Sequence, residues 1–174
     1  MSVRQSQFEA LVNAYSSDLY RYAVWLCRDS TQAEDLVQET FARAWRALDS
    51  LNDHRAAKGW LITILRREFA RICERFGRDP LHMGDSEIEK LSSPEFSDAK
   101  PETIMLRRAL LKLGVEYREP LLLQVIGGYS GEEIAAMLEI KPGAVMTRLF
   151  RARQQLRQAL SGGKADGRKE GTSG

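Results

Sequence analysis

Lys141, Arg148, Arg151, Arg153 and Arg157 fall in one stretch that contains no Asp or Glu. Cations grouped this way, with no local carboxylate to neutralise them, suit a polyanion. They displace counterions from phosphate, and an arginine fork can also bond a guanine edge. A second group, Thr63, Arg67 and Arg71, recurs at steps of four and shares one helix face. The opposite charge gathers between residues 29 and 39, where Asp29, Glu34, Asp35 and Glu39 occur without Lys or Arg. Asp35 and Glu39 stand one helical turn apart, so their like charges gain nothing from each other, and taken alone they read as a solvated helix face. Glu39 also has Arg43 four residues on, an ordinary helix ion pair worth about 0.2 to 0.5 kcal/mol.

Catalytic chemistry is poorly supplied. The two histidines are far apart, Cys27 and Cys73 are too distant in sequence for a metal knuckle, and no glycine-rich phosphate loop occurs. The sequence therefore predicts neither an enzyme nor a metal or cofactor site. Both cysteines occupy apolar positions of helical patterns and read as buried thiols. No apolar run approaches the ~18 to 20 residues needed to span a bilayer, and MSVRQSQFEA lacks the apolar core of a signal peptide, which predicts a cytoplasmic protein. Net charge is only +2, so the nucleic-acid reading rests on the uneven distribution of charge rather than its sum.

The elements that must position these groups are helices. Phe8, Leu11, Val12, Tyr15, Leu19, Tyr22, Ala23 and Leu26 recur at steps of three and four. Asp29 or Ser30 then caps a second helix whose stripe is Ala33, Leu36, Val37, Thr40, Phe41, Ala44, Trp45 and Leu48. After a polar loop from Asp49 to Ala56, a third helix turns Trp60, Leu61, Ile64, Leu65, Ile72, Cys73 and Phe76 inward, with Trp60 a core residue rather than a stacking platform. Residues 78–101 lose apolar periodicity, gain Pro80, Pro94 and Pro101, and carry a net charge of −3, the composition of a flexible linker. As a coil it averages roughly 27 Å end to end and reaches about 80 Å, enough to span two DNA turns of about 70 Å.

Beyond it the pattern predicts a helix to about Leu113, a second from Tyr117 to Ile126 closed by Gly127 and Gly128, and a capping box at Ser130 and Glu133. Ile134, Ala135, Leu138, Ile140, Val145 and Leu149 then hold two crossed helices, a helix-turn-helix, with Pro142 opening the second. The fold class is all-α: two small helical domains, 1–77 and 102–162, joined by the linker at 78–101 and followed by a frayed tail at 163–174.

The run AEDLVQETFARAW (Ala33 to Trp45), followed by KGWLITILRR (Lys58 to Arg67), resembles the second conserved region of extracytoplasmic-function sigma factors. YSGEEIAAMLEIKPGAVMTRLFRARQQL (Tyr129 to Leu156) resembles their fourth region. Two motifs in the right order with a suitable gap are more specific than a lone helix-turn-helix. The resemblance implies a dissociable subunit of bacterial RNA polymerase that directs initiation at promoter DNA. It implies core-polymerase docking by Asp35, Gln38 and Glu39. Minus-10 contacts fall to Asn52, Asp53 and His54 in the loop and to Arg67 and Arg71. Minus-35 contacts fall to Lys141, Thr147, Arg148, Arg151 and Arg153. It further implies an anti-sigma factor, commonly membrane-anchored, that holds the protein inactive until a stress signal.

Arg67 and Arg71 depart from the Asn and Asp frequent in the family, Met146 from a frequent Lys, and Glu139 from a turn glycine. The competing reading is a dimeric helix-turn-helix regulator that binds its operator unaided, which has no use for the acidic docking helix.

Overall fold

A computed structural model describes residues 2–76 and 101–166. It contains seven α-helices and no strand among the described residues, in two compact units that divide at Met83 and Gly84.

In the first unit α1 (Val3–Cys27) and α2 (Ser30–Arg46) pack against each other, and α3 (Ala57–Phe76) packs on both. The corner between α1 and α2 is tight. Arg28 adopts a left-handed conformation (φ 61°) and closes α1 with a bond from its amide to the Val24 carbonyl. Asp29 opens α2 by accepting from the amides of Thr31 (2.8 Å) and Gln32 (3.1 Å), which settles the cap on Asp29 rather than Ser30. Leu19, Leu26, Ala33, Leu36, Ala44, Leu61 and Leu65 close the core, each at most 2% exposed. Thr40 is also fully buried and satisfies its hydroxyl on the Leu36 carbonyl at 2.7 Å, so a polar residue fits the apolar stripe.

Three sequence expectations for this unit need correction. Leu48 lies past α2, in a short 3-10 turn (Leu48–Ser50), where it is buried with Leu11 and Ala57. Ile62 and Phe69 join the core of α3, as does Glu68, an acid at 8% exposure on a face where a 3.6-residue period continues from Leu61 and Leu65. Cys27 is buried as expected but Cys73 is only half-buried. Trp60 is half-buried against the Leu11, Leu48 and Ala57 cluster, a core position. The expected inward side chain of Phe76 lies outside the described residues, as do residues 78–100 of the expected linker.

In the second unit α4 (Pro101–Lys112), α5 (Val115–Val125) and α6 (Gly131–Leu138) all pack against the long α7 (Pro142–Asp166). Pro101 begins α4, the first-turn position its fixed φ and missing amide suit. α5 starts two residues earlier than the sequence pattern suggests, so Pro120 sits inside it and leaves the Glu116 carbonyl without its intrahelical donor. Arg118, at 1% exposure, donates from Nη1 to the Leu113 carbonyl, placing a cation where the α4 dipole leaves negative charge. α7 continues four residues past Gly162, so 163–166 are helical rather than frayed; the rest of the expected tail lies outside the described residues.

Candidate nucleic-acid interface

The α6–α7 corner is built by backbone chemistry. Ser130 Oγ accepts from the Glu133 amide at 3.2 Å, while Glu133 Oε1 accepts from the Ser130 amide at 3.1 Å, a complete capping box. Glu139 then turns the chain in the left-handed region (φ 55°, ψ 42°), and the Ile140 amide donates to the Ala135 carbonyl. This conformation costs a non-glycine residue about 1 to 2 kcal/mol.

Val145, Leu149 and Ala152 are buried, which fixes the rotation of α7. At 100° per residue the opposite face carries Gly143, Thr147, Phe150, Arg151 and Gln154. Thr147 and Arg151 are exposed on that outward face; Thr147 Oγ1 already donates to the Gly143 carbonyl at 3.0 Å and keeps lone pairs for a further donor. Arg148 and Arg153 flank the core stripe on opposite sides. Arg148 is half-buried; Arg153 is exposed and its Nη2 donates to Gln124 Oε1 on α5, so its guanidinium is braced against the scaffold. Lys141 is exposed just before the helix, where its carbonyl accepts from the Ala144 and Val145 amides.

Sequence reasoning overlooked Phe150, 64% exposed beside Met146 at 61% on the same helix. The signal was available: both lie four apart and off the stripe of Val145 and Leu149. Exposed apolar side chains on a basic helix suit thymine methyl groups.

In the first unit Asp35, Gln38 and Glu39 are all exposed on the outer face of α2, as their spacing requires. Glu39 pairs with Arg43 at 3.0 Å, the helix pair foreseen above, but the pair does not stand alone. Arg43 also reaches Glu68 at 2.6 Å, and Glu68 holds Arg71 at 2.8 Å. The acidic face of α2 is thus linked to the basic face of α3. Arg67 and Arg71 are exposed, while Thr63 is half-buried with its hydroxyl on the Gly59 carbonyl.

The loop between them is ordered rather than slack. Leu51 packs on the Leu11, Leu48 and Ala57 cluster, and a second 3-10 turn (His54–Ala56) is capped by Asp53, which accepts from the Arg55 amide at 2.9 Å. Asn52, Asp53 and His54 are exposed, with Asp53 occupied in shaping the turn. No group of three or more His, Cys, Asp or Glu able to hold a metal occurs among the described residues.

A helical unit with one acidic and one basic face, in the same chain as a helix-turn-helix unit, is the build of a DNA-binding protein of two units. Comparison with known proteins specifies the class. The family model for sigma-70 region 2 matches residues 11–78, and that for sigma-70 region 4 matches residues 103–156. The ECF RNA polymerase sigma factor SigL of Mycobacterium tuberculosis is 34% identical over 87% of each chain. The ECF sigma factor EcfG of Rhodopseudomonas palustris is 34% identical over 82% of this chain and 78% of that one. Among solved structures, the sigma factor RpoE of Bartonella quintana, in complex with the anti-sigma factor NepR, superposes with a TM-score of 0.65 at 27% identity, covering 90% of this chain and 96% of that one. CnrH, in complex with the cytosolic domain of CnrY, gives 0.63 at 30% identity over 91% and 90%. The chain belongs to the extracytoplasmic-function sigma factors of the sigma-70 family, which are transcription initiation factors.

Proposed function

We propose that the chain binds core RNA polymerase through Asp35, Gln38 and Glu39 and directs it to promoters whose minus-10 and minus-35 elements are read by separate units. The observation that carries this reading is the pairing of an exposed acidic face on α2 with an α7 whose core stripe leaves Thr147 and Arg151 pointing outward. Residues 1–77 act at the minus-10 element, with Asn52 and His54 displayed for a separated base and Arg67 and Arg71 for phosphate. Residues 102–162 act at the minus-35 element, where Arg151 approaches base edges while Lys141, Arg148 and Arg153 grip the backbone. Residues 78–101 tether the two.

An anti-sigma factor regulates the protein by covering the same surfaces, as supported by the two relatives whose structures hold a partner. Exposed Leu106, Val125, Met146 and Phe150 give such a partner apolar surface to bury. The inhibitor is anchored in the membrane, while the factor works in the cytoplasm; no described helix is long and apolar enough to cross a membrane.

Titration of labelled core polymerase tests the docking assignment. Asp35→Ala with Glu39→Ala is expected to weaken core affinity at least tenfold with unchanged helical circular dichroism, taking about 1.4 kcal/mol per tenfold. Unchanged affinity would remove the assignment.

A further inference from the structure

Glu68 occupies an unusual place for a carboxylate. Its side chain is 10% exposed, and one oxygen, Oε1, accepts from Arg71 Nη1 (2.8 Å) and forms an ion pair with Arg43 Nε at 2.6 Å. Arg43 Nε also reaches Glu39 Oε1 at 3.0 Å, so Arg43 is shared between a carboxylate on its own helix and one on α3. An acid held this deep needs such partners, because an unpaired buried charge is costly. The arrangement goes further than pairing. Glu39 lies on the acidic face of α2 and Arg71 on the basic face of α3, and Glu68 joins them by way of Arg43.

We propose that Glu68 is a positioning residue through which neutralisation of Glu39 from outside releases Arg71 to bind DNA phosphate. This rests on the reading that the α2 face docks polymerase and the α3 face meets DNA. In the isolated chain Arg43 divides its attraction between Glu39 and Glu68, and Glu68 retains Arg71. When a cation of the partner takes Glu39, Arg43 is left with Glu68 alone and occupies its Oε1 more fully. The hold of Glu68 on Arg71 weakens accordingly. Arg71, with 57% of its side chain exposed, can swing outward without disturbing the core. Both states keep Glu68 paired, as a buried carboxylate requires. The relay makes docking and DNA binding support each other, and that coupling is reciprocal.

The relay predicts an outcome in the chain without polymerase. E39Q mimics the neutralised state, so it should tighten binding of a short fluorescein-labelled single-stranded oligodeoxynucleotide of mixed sequence by about threefold, the scale of coupling between neighbouring charged residues. The gain should vanish in E68Q and R71Q backgrounds, measured as a double-mutant cycle by anisotropy. Removing one negative charge from the surface would instead help equally in every background, and equal gains overturn the relay. So does the absence of any gain from E39Q in the native background. Where E68Q lowers the helical circular dichroism, R43Q breaks the same chain of contacts, and a gain that survives R43Q overturns the proposal. R71Q in the E39Q background separates the two levels: if the double variant binds the oligonucleotide as E39Q does, the DNA-facing role of Arg71 fails and the relay with it.

Discussion

The two units handle charge in opposite ways. In the first, cations are held by nearby carboxylates: Arg43 by Glu68 of α3, Arg71 by Glu68 of its own helix, Lys58 by Asp18 at 3.7 Å, and Arg4 by Asp49 at 2.8 Å, with the Arg4 guanidinium also stacked 4.9 Å from the Trp45 ring. In the second, Lys141 to Arg157 contains no acid at all, and apolar packing alone sets the rotation of the helix that bears these cations. The contrast fits the roles proposed for the two surfaces. Charges satisfied within the molecule can be exchanged for a partner's charges one at a time, which suits regulated docking. Charges left without local acids bind phosphate directly and carry a steep salt dependence.

Mutations can break this contrast. The largest effect is expected from Leu149→Ala, which removes a side chain 1% exposed beneath the recognition helix and should cost the second unit about 2 to 5 kcal/mol in denaturant unfolding, with the first unit's transition unmoved. Next comes Arg151→Ala, expected to cost about 1 to 3 kcal/mol of promoter affinity and to relax preference at one minus-35 position, whereas Arg153→Ala should weaken all sequences alike and flatten the salt slope. Fluorescence titration across promoter variants and salt concentrations separates the two, and identical profiles would erase the distinction. Ser130→Ala removes one half of the capping box and should destabilise the second unit by about 0.5 to 2 kcal/mol, read from its thermal midpoint. Glu139→Gly should act in the other direction, stabilising by about 0.5 to 1 kcal/mol once the added freedom of the unfolded chain offsets part of the relieved strain. Smallest is Asp49→Ala, worth at most about 1 kcal/mol because its side chain is 86% exposed.

Much of this architecture was legible in the residues. The steps of three and four that name Leu19, Leu26, Leu36, Leu61 and Leu65 are those that fill the first core, and Ser130, Glu133 and Pro142 announced the helix-turn-helix before any coordinate. What stayed hidden is polar burial. Glu68 and Arg118 look like surface charges because a one-dimensional pattern assigns charge to the outside. Their partners, Arg43 on another helix and the Leu113 carbonyl on a neighbouring turn, become visible only once the helices pack. The braced geometry of Arg153 was hidden for the same reason, since Gln124 precedes it by 29 residues, with all of α6 between them. The start of α5 was misplaced because Pro120 reads as a residue for a helix beginning, whereas burial of Pro120 and Leu121 to Leu123 outweighs the hydrogen bond it removes.

Two units of one chain are proposed to read two promoter elements while attached to polymerase. Run-off transcription with purified core polymerase on a library randomised at both elements tests it most directly. Transcripts are expected only when the chain is added, drawn from templates enriched at two blocks, with Arg151→Ala relaxing enrichment at one minus-35 position and leaving the minus-10 block unchanged. Transcript yields independent of the chain, or enrichment at a single block that no α7 substitution alters, would contradict it.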